Sequence, residues 1–142
     1  MGKQPFVVTP EAYDRPLNVV GTKVTVLASN EATGGYGITY QQGDEGTGPP
    51  PHSHDWDEAF FVLSGSVNFQ CGEEQYECDA GTLVHVPRNT THGFNYGDGG
   101  GSMLEITSRD SKSAEMFTQI SNTIDAKTRI FRRRWTFFGL TG

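Results

Sequence analysis

The chain alternates apolar and polar residues in short runs, interrupted about every ten residues by Gly, Pro, Asn or Asp. In "KVTVLAS" (23–29), Val24, Val26 and Ala28 share one face, as the two-residue period of a strand requires. The runs "YGITYQQ" (36–42), "EAFFVLSG" (58–65), "SVNFQC" (66–71), "QYEC" (75–78), "TLVHVP" (82–87), "HGFNY" (92–96) and "SMLEITS" (102–108) read the same way. Between them, "NEATGG" reads as a turn, and "GDEGTGPPP" (43–51) and "GDGGG" (97–101) read as breakers. Many short strands at this spacing predict an all-β sandwich or barrel.

One segment departs from the pattern. In "SKSAEMFTQISNTI" (111–124), Ala114, Phe117, Ile120, Ser121 and Ile124 recur every three to four positions. That period predicts an amphipathic helix lying on the barrel after its last strand, with Ser111 or Ser113 as its cap. The 142 residues fit one domain with one sizeable core, and no internal repeat divides them.

Charge narrows the partners. The formal net charge is −6, which argues against a broad nucleic-acid footprint. Acids cluster in residues 44–79, while Arg129, Arg132, Arg133 and Arg134 crowd the tail 129–142. Phe131, Trp135, Phe137 and Phe138 interleave with those arginines, so the tail is expected to pack on its own barrel or on a partner subunit. No apolar run reaches the roughly 20 residues of a membrane span. "MGKQPFVVTP" lacks an apolar signal core, so a cytoplasmic protein is the expectation. Cys71 and Cys78 bracket a hairpin turn at apolar-type strand positions and are expected as buried free thiols.

The stretch "PPPHSHDWDEAFFVLSG" (49–65) carries the chemistry. On a continuous strand, His52 and His54 point the same way, and even parity carries that face through Glu58, Phe60 and Val62. Phe61 and Leu63 face the other way, so a strand covered on both sides is expected. Two imidazoles and a carboxylate converging on one spot suit a divalent metal with open positions, and His92 is the candidate fourth ligand. A lone HxH is a weak signal, because loop histidines are usually solvated. Asp55, Trp56 and Asp57 are read as lip residues. His85, in an apolar strand, either lines the cavity or satisfies a core hydrogen bond.

Two spaced motifs then give a resemblance. Gly46, "TGPPP", His52, Ser53, His54, "DWD", Glu58, "AFFVLS" and Gly65 resemble the first motif of the cupin superfamily element for element. Gly81, "TLVHV", Pro87, Arg88, Asn89, "TT", His92, "GFN" and Tyr96 are similar to the second, with Asn89 in place of the turn glycine and Tyr96 in place of the final asparagine. Asn tolerates the left-handed conformation that such a turn needs. The motifs occupy 46–65 and 81–96, and the looser resemblance is to single-domain, quercetin-dioxygenase-like cupins.

The resemblance implies a double-stranded β-helix, or jelly-roll, barrel with one C-terminal helix. It implies one divalent transition metal (Fe, Mn, Ni, Co, Cu or Zn) held by His52, His54, Glu58 and His92. It gives Glu58 a second role as base toward an enol or phenol. Small cupins of this kind often pair, so a homodimer is expected.

Phe60, Val62, Tyr40, Phe94, Tyr96 and Met103, with Tyr36 beside them, are the candidate wall of an apolar, aromatic substrate pocket. No basic residue lies in the motif strands, and the nearest, Arg88, lies in a turn. Glu105 either faces solvent or adds a second acid to the site. The leading expectation is a metal-dependent enzyme, a quercetinase-like dioxygenase acting with O2 on an aromatic or enolisable small molecule. The alternatives are a non-oxidative cyclase, isomerase or dehydratase, and a small-molecule-binding cupin without turnover. Neither nucleic acid nor membrane is an expected partner.

Overall fold

The computed structural model describes residues 4–130, with side chains described as far as residue 123. Seven strands form one antiparallel system: β1 (Leu17–Val19), β2 (Thr22–Ala28), β3 (Gly37–Gly43), β4 (Glu58–Cys71), β5 (Glu74–Asp79), β6 (Leu83–Val86) and β7 (His92–Thr107). They run in the order β1-β2-β3-β7-β4-β5, and β6 pairs with β4. A one-turn helix, α1 (Asn30–Thr33), joins β2 to β3, and α2 (Ser113–Ile130) follows β7. The jelly-roll expectation holds, with one long helix after the last strand.

Two expected strand pairs are single strands. Residues 58–65 and 66–71 merge into β4, and 92–96 and 102–108 merge into β7. β4 and β7 pair along their whole length, from Glu58↔Thr107 to Cys71↔His92. Between Gly65↔Gly101 and Val67↔Tyr96 the register shifts, because Gly97–Gly100 face the single residue Ser66. "GDGGG" is therefore a kink inside a strand, where a chain-breaking connection was expected. Gly65 sits at the kink with φ +67°, and a Cβ there would overlap the Gly100 carbonyl oxygen. Only glycine lets the two backbones approach so closely.

"NEATGG" holds α1 in place of a simple turn. Ser29 caps it by accepting from the Ala32 N–H, and Gly34 closes it at φ +76°. α2 starts at Ser113, two residues later than expected, and continues past 124. Its buried face carries Phe117, Ile120 and Ser121 as the periodicity predicted, and Ile124 lies outside the described side chains. The tail 131–142 lies outside the described residues. No described helix is long and apolar enough to cross a membrane.

The barrel interior is an aromatic and aliphatic bed of Phe60, Val62, Val67, Phe69, Phe94, Tyr96 and Met103. Phe60, Phe69 and Phe94 form a triangle with centroids 5.1–5.8 Å apart, a separation typical of favourable tilted and edge-to-face packing. A second cluster joins Phe117 and Ile120 of α2 to Val19, Val20 and Val24 of the first hairpin. The Asn18 N–H donates to Ser121 Oγ at 3.0 Å and fixes the helix along β1. The outer face of β4 is less covered than expected: Phe61 is 37% exposed and Leu63 41%. Cys71 is half-buried and Cys78 buried; both are free thiols, and burial pushes both pKa values up.

Gly65→Ala is expected to lower unfolding free energy by about 1–3 kcal/mol, the cost of a strained backbone site. Equilibrium urea denaturation measures it, and a variant as stable as the parent would contradict the close approach described.

Candidate metal centre

His52, His54 and His92 come together, with one ring nitrogen from each lying within 4.8 Å of the other two. They arrive by different routes. His52 makes an isolated bridge with His92, each backbone N–H donating to the other's carbonyl at 2.8 Å. His54 follows in the loop 53–57, outside any strand. The expectation of one continuous strand from His52 to Glu58 is thus corrected, since β4 begins only at Glu58. Other contacts hold the loop. The Asn89 N–H donates to the His54 carbonyl at 2.7 Å, and Asn89 has φ +64°, the left-handed conformation expected of it.

Asp57 and Arg88 complete the clamp. Asp57 Oδ1 accepts from the Arg88 backbone N–H at 2.9 Å, the Asp57 N–H donates to Ser108 Oγ, and the Ser108 N–H donates to the Asp57 carbonyl. The Arg88 guanidinium also approaches Asp55, Asp57 and Asp110 within 3.4–3.8 Å. Asp57 therefore ties the loop to its neighbours, and Arg88 is already engaged by carboxylates. Exposed His85 pairs with Ala59 across β4–β6, away from the imidazole cluster.

The imidazoles are prepared as neutral ligands. His52 Nδ1 lies 2.8 Å from the Pro50 carbonyl and His92 Nδ1 2.8 Å from the Thr90 carbonyl. A carbonyl only accepts, so each Nδ1 carries the proton and each Nε2 offers a lone pair. Burial holds the His52 pKa down to about 4 and that of His54 to about 3, and lowers that of His92.

Glu58 Oε2 lies 2.8 Å from His92 Nε2 and 4.0 Å from His54 Nε2. Neither Glu58 Oε2 nor His92 Nε2 makes a hydrogen bond of sound geometry, although both are buried. Two lone pairs facing each other at that distance call for a proton or a cation between them. Three neutral imidazoles beside a carboxylate are a fitting donor set for a divalent transition metal. Glu58 stands just outside the mutual three-nitrogen cluster, against two of its members.

A second acid, Glu105, is buried and lines the same small cavity as Glu58. The Thr39 hydroxyl donates to Glu105 Oε1 at 3.1 Å and accepts from the Gln41 amide at 3.0 Å. Burial, then the Glu58 charge, raises the Glu105 pKa well above the carboxylate range. Burial also raises that of Glu58. The pair therefore retains a proton where isolated carboxyls would be ionised.

The cavity at this centre holds about 20 Å³ and is lined by His52, His54, Glu58, Glu105, Phe60 and Phe94, among others. That is room for about one water-sized group. Met116 and Phe117 of α2 close it. Of the expected pocket wall, Phe60 and Phe94 line the cavity. Val62, Tyr96 and Met103 lie in the packed bed at 0–1% exposure. Tyr40 packs against Tyr13, centroids 6.5 Å apart, and Tyr36 is 48% exposed, so neither lines it. Gln41, Met116 and Phe117 were missed, and of the two places left open for Glu105 the structure gives the inward one. Glu105 shares its strand parity with Met103, and that signal would have placed it inward.

The barrel and its cluster of three imidazoles define a jelly-roll domain with a candidate metal centre. Residues 39–107 match the cupin domain family, and the chain carries a cupin domain. It is similar to quercetin 2,3-dioxygenase of Bacillus subtilis, 26% identical over 94 residues, which are 66% of this chain and 28% of that protein. In fold it resembles KdgF from Halomonas sp., with TM-score 0.70 and 17% identity over 78% of this chain and 99% of that one. It also resembles the polyketide cyclase RemF from Streptomyces resistomycificus, with TM-score 0.64 and 20% identity over 75% and 81% of the two chains.

Because the imidazoles are already neutral, metal should displace few protons from them. The logarithm of affinity is expected to fall by at most about one per pH unit between pH 7 and 5.5. Three ordinary imidazoles would approach a slope of three below their usual pKa. Competition with a chromophoric chelator across that range distinguishes the two.

Proposed function

We propose that this chain is a metal-dependent enzyme acting on an aromatic or enolisable small molecule, with a quercetinase-like dioxygenase as the leading case. The observation that carries the reading is the pair of unsatisfied buried atoms, Glu58 Oε2 and His92 Nε2, facing each other beside two more neutral imidazoles. The likeness to quercetin 2,3-dioxygenase supports it over a limited span. His52, His54 and His92 would hold the ion through their ring nitrogens, with Glu58 as the fourth ligand. A metal of the Fe, Mn, Ni, Co, Cu or Zn type would polarise a substrate oxygen and serve chemistry with O2.

The chain's own groups do the rest. Glu58 accepts the proton of an enol or phenol, and Glu105 holds a proton next to it. Phe60 and Phe94 exclude water beneath the reacting atoms. Only the reacting end of a ring-sized substrate enters a cavity this small. The remainder lies outside, in an open cleft of about 700 Å³ that includes His54, Trp56 and Met116.

One observation favours a second reading. Two buried carboxyls on one cavity, their pKa values raised by burial, are what an isomerase, cyclase or dehydratase needs to move a proton without oxidation. A binding cupin without turnover is the remaining alternative. Purified protein is expected to take up one divalent ion per chain, and His52→Ala to lower that affinity at least about tenfold. Oxygen uptake on adding a flavonol or another enol supports the dioxygenase. Substrate conversion without oxygen uptake supports the proton-transfer reading.

We also propose a homodimer. Phe6 at 48% and Val7 at 87% exposure lie in the N-terminal segment that leads to β1, the edge strand of the sheet. Burying them against a second copy removes apolar surface from water. Light scattering at micromolar concentration is expected to give twice the 15.6 kDa chain mass, and a single-chain mass would contradict it.

A further inference from the structure

Trp56 lies between the two histidines of the first motif and Glu58, in the loop that carries His54. Its ring stacks on the His54 imidazole with centroids 4.4 Å apart and planes 4° from parallel. The imidazoles meet one another differently, at 50–68° between planes. The other two imidazoles are oriented by Nδ1 bonds to carbonyls two residues back. Among the described hydrogen bonds, His54 has no such bond. The stack is the contact that sets its ring plane.

The polar end of Trp56 is buried as well. Its indole Nε1 is buried without a hydrogen-bond partner of sound geometry. An indole N–H only donates, and a buried donor without an acceptor is costly. Two residues on, Glu58 carries a buried carboxylate oxygen, Oε2, that is likewise without a partner. The outer side of Trp56 borders the open cleft. The ring therefore stands between solvent and the His54 side chain, which is 8% exposed.

We propose that Trp56 is a positioning residue for two metal-site side chains at once: its face fixes the His54 ring plane, and its N–H holds the Glu58 carboxylate. The inference rests on the metal-centre reading above. It assigns to Trp56 the role that backbone carbonyls have at His52 and His92, and it makes Trp56 emission a reporter of metal occupancy.

Co(II) is the probe, because its visible bands respond to ligand identity and geometry. Trp56→Ala, which loses stack and donor, is expected to bind Co(II) about 10–100-fold more weakly, as outer partners of metal ligands commonly do. Trp56→Phe keeps a stacking ring and is expected to recover most of the affinity. Its Co(II) bands should still shift, because Glu58 lacks the N–H. In a Trp135→Phe background, Trp56 emission should be strongly quenched, with an end point at one Co(II) per chain.

A folded Trp56→Ala protein with parental Co(II) affinity and unchanged bands would overturn the role. So would stoichiometric Co(II) binding that leaves Trp56 emission unquenched. That emission measurement still decides if Trp56→Ala does not fold, since it uses the intact loop. Failure of the parent protein to bind any Co(II) would overturn the metal-centre reading and this inference together. Binding by the parent with no effect at Trp56 overturns the inference alone.

Discussion

The β4–β7 ladder is the constraint on which the rest depends. Fourteen residues of straight strand, as in β4, would span about 45 Å, yet groups at opposite ends of the ladder meet. Glu58 opens β4 and pairs with Thr107, while His92 opens β7 and pairs with Cys71. Their side chains still come within 2.8 Å. The glycines around Gly65 and Gly97–Gly101 permit this by letting the ladder kink and coil. Barrel closure and assembly of the centre are thus one event. The site exists because the sheet rolls back on itself, and Phe60, Phe69 and Phe94 pack inside the roll.

That packing sets the electrostatics. An aromatic bed directly beneath three imidazoles and two carboxyls removes the water that would otherwise stabilise charge. Burial is the largest influence on His52, His54, Glu58 and Glu105 alike. The imidazoles respond by staying neutral, and the carboxyls respond by keeping a proton. A metal ion would reverse the balance, because it would supply in one place the positive charge that the apolar bed disfavours on separate rings. Burying aromatics in this way thus leaves a small cavity whose polar end suits a cation.

Much of this was legible in the sequence. The two-residue period located every strand except β1, and the two spaced motifs located His52, His54, Glu58 and His92. The joining of 92–96 to 102–108 was hidden, because a run of glycines reads locally as a break, and only tertiary packing shows that the strand continues through it. Parity gave the correct convergence of His52, His54 and Glu58 by an incorrect route, since loop 53–57 intervenes. Taken at face value, the same parity points Trp56 inward as well. Tyr40 was misplaced for a related reason: an aromatic on a strand reads as pocket or core from either face, and only its contact with Tyr13 decides. Met116 and Phe117 were out of reach, because nothing local tells a helix which opening it covers.

α2 links stability to access. Phe117 belongs to the cluster that fastens the helix to the first hairpin, and together with Met116 it closes the small cavity. Enlarging the cavity from that side means giving up apolar contacts, and burying one such side chain is worth about 1.5–3 kcal/mol. The larger cleft meets the small cavity at His54 and Met116. On the proposed reading, a substrate reaching the centre from the cleft side would present one oxygen edge-on and leave its bulk outside. Flat molecules with an acidic oxygen on the rim would suit such an approach better than compact branched ones. The size of the cavity would then restrict the chemistry alongside the ligand set.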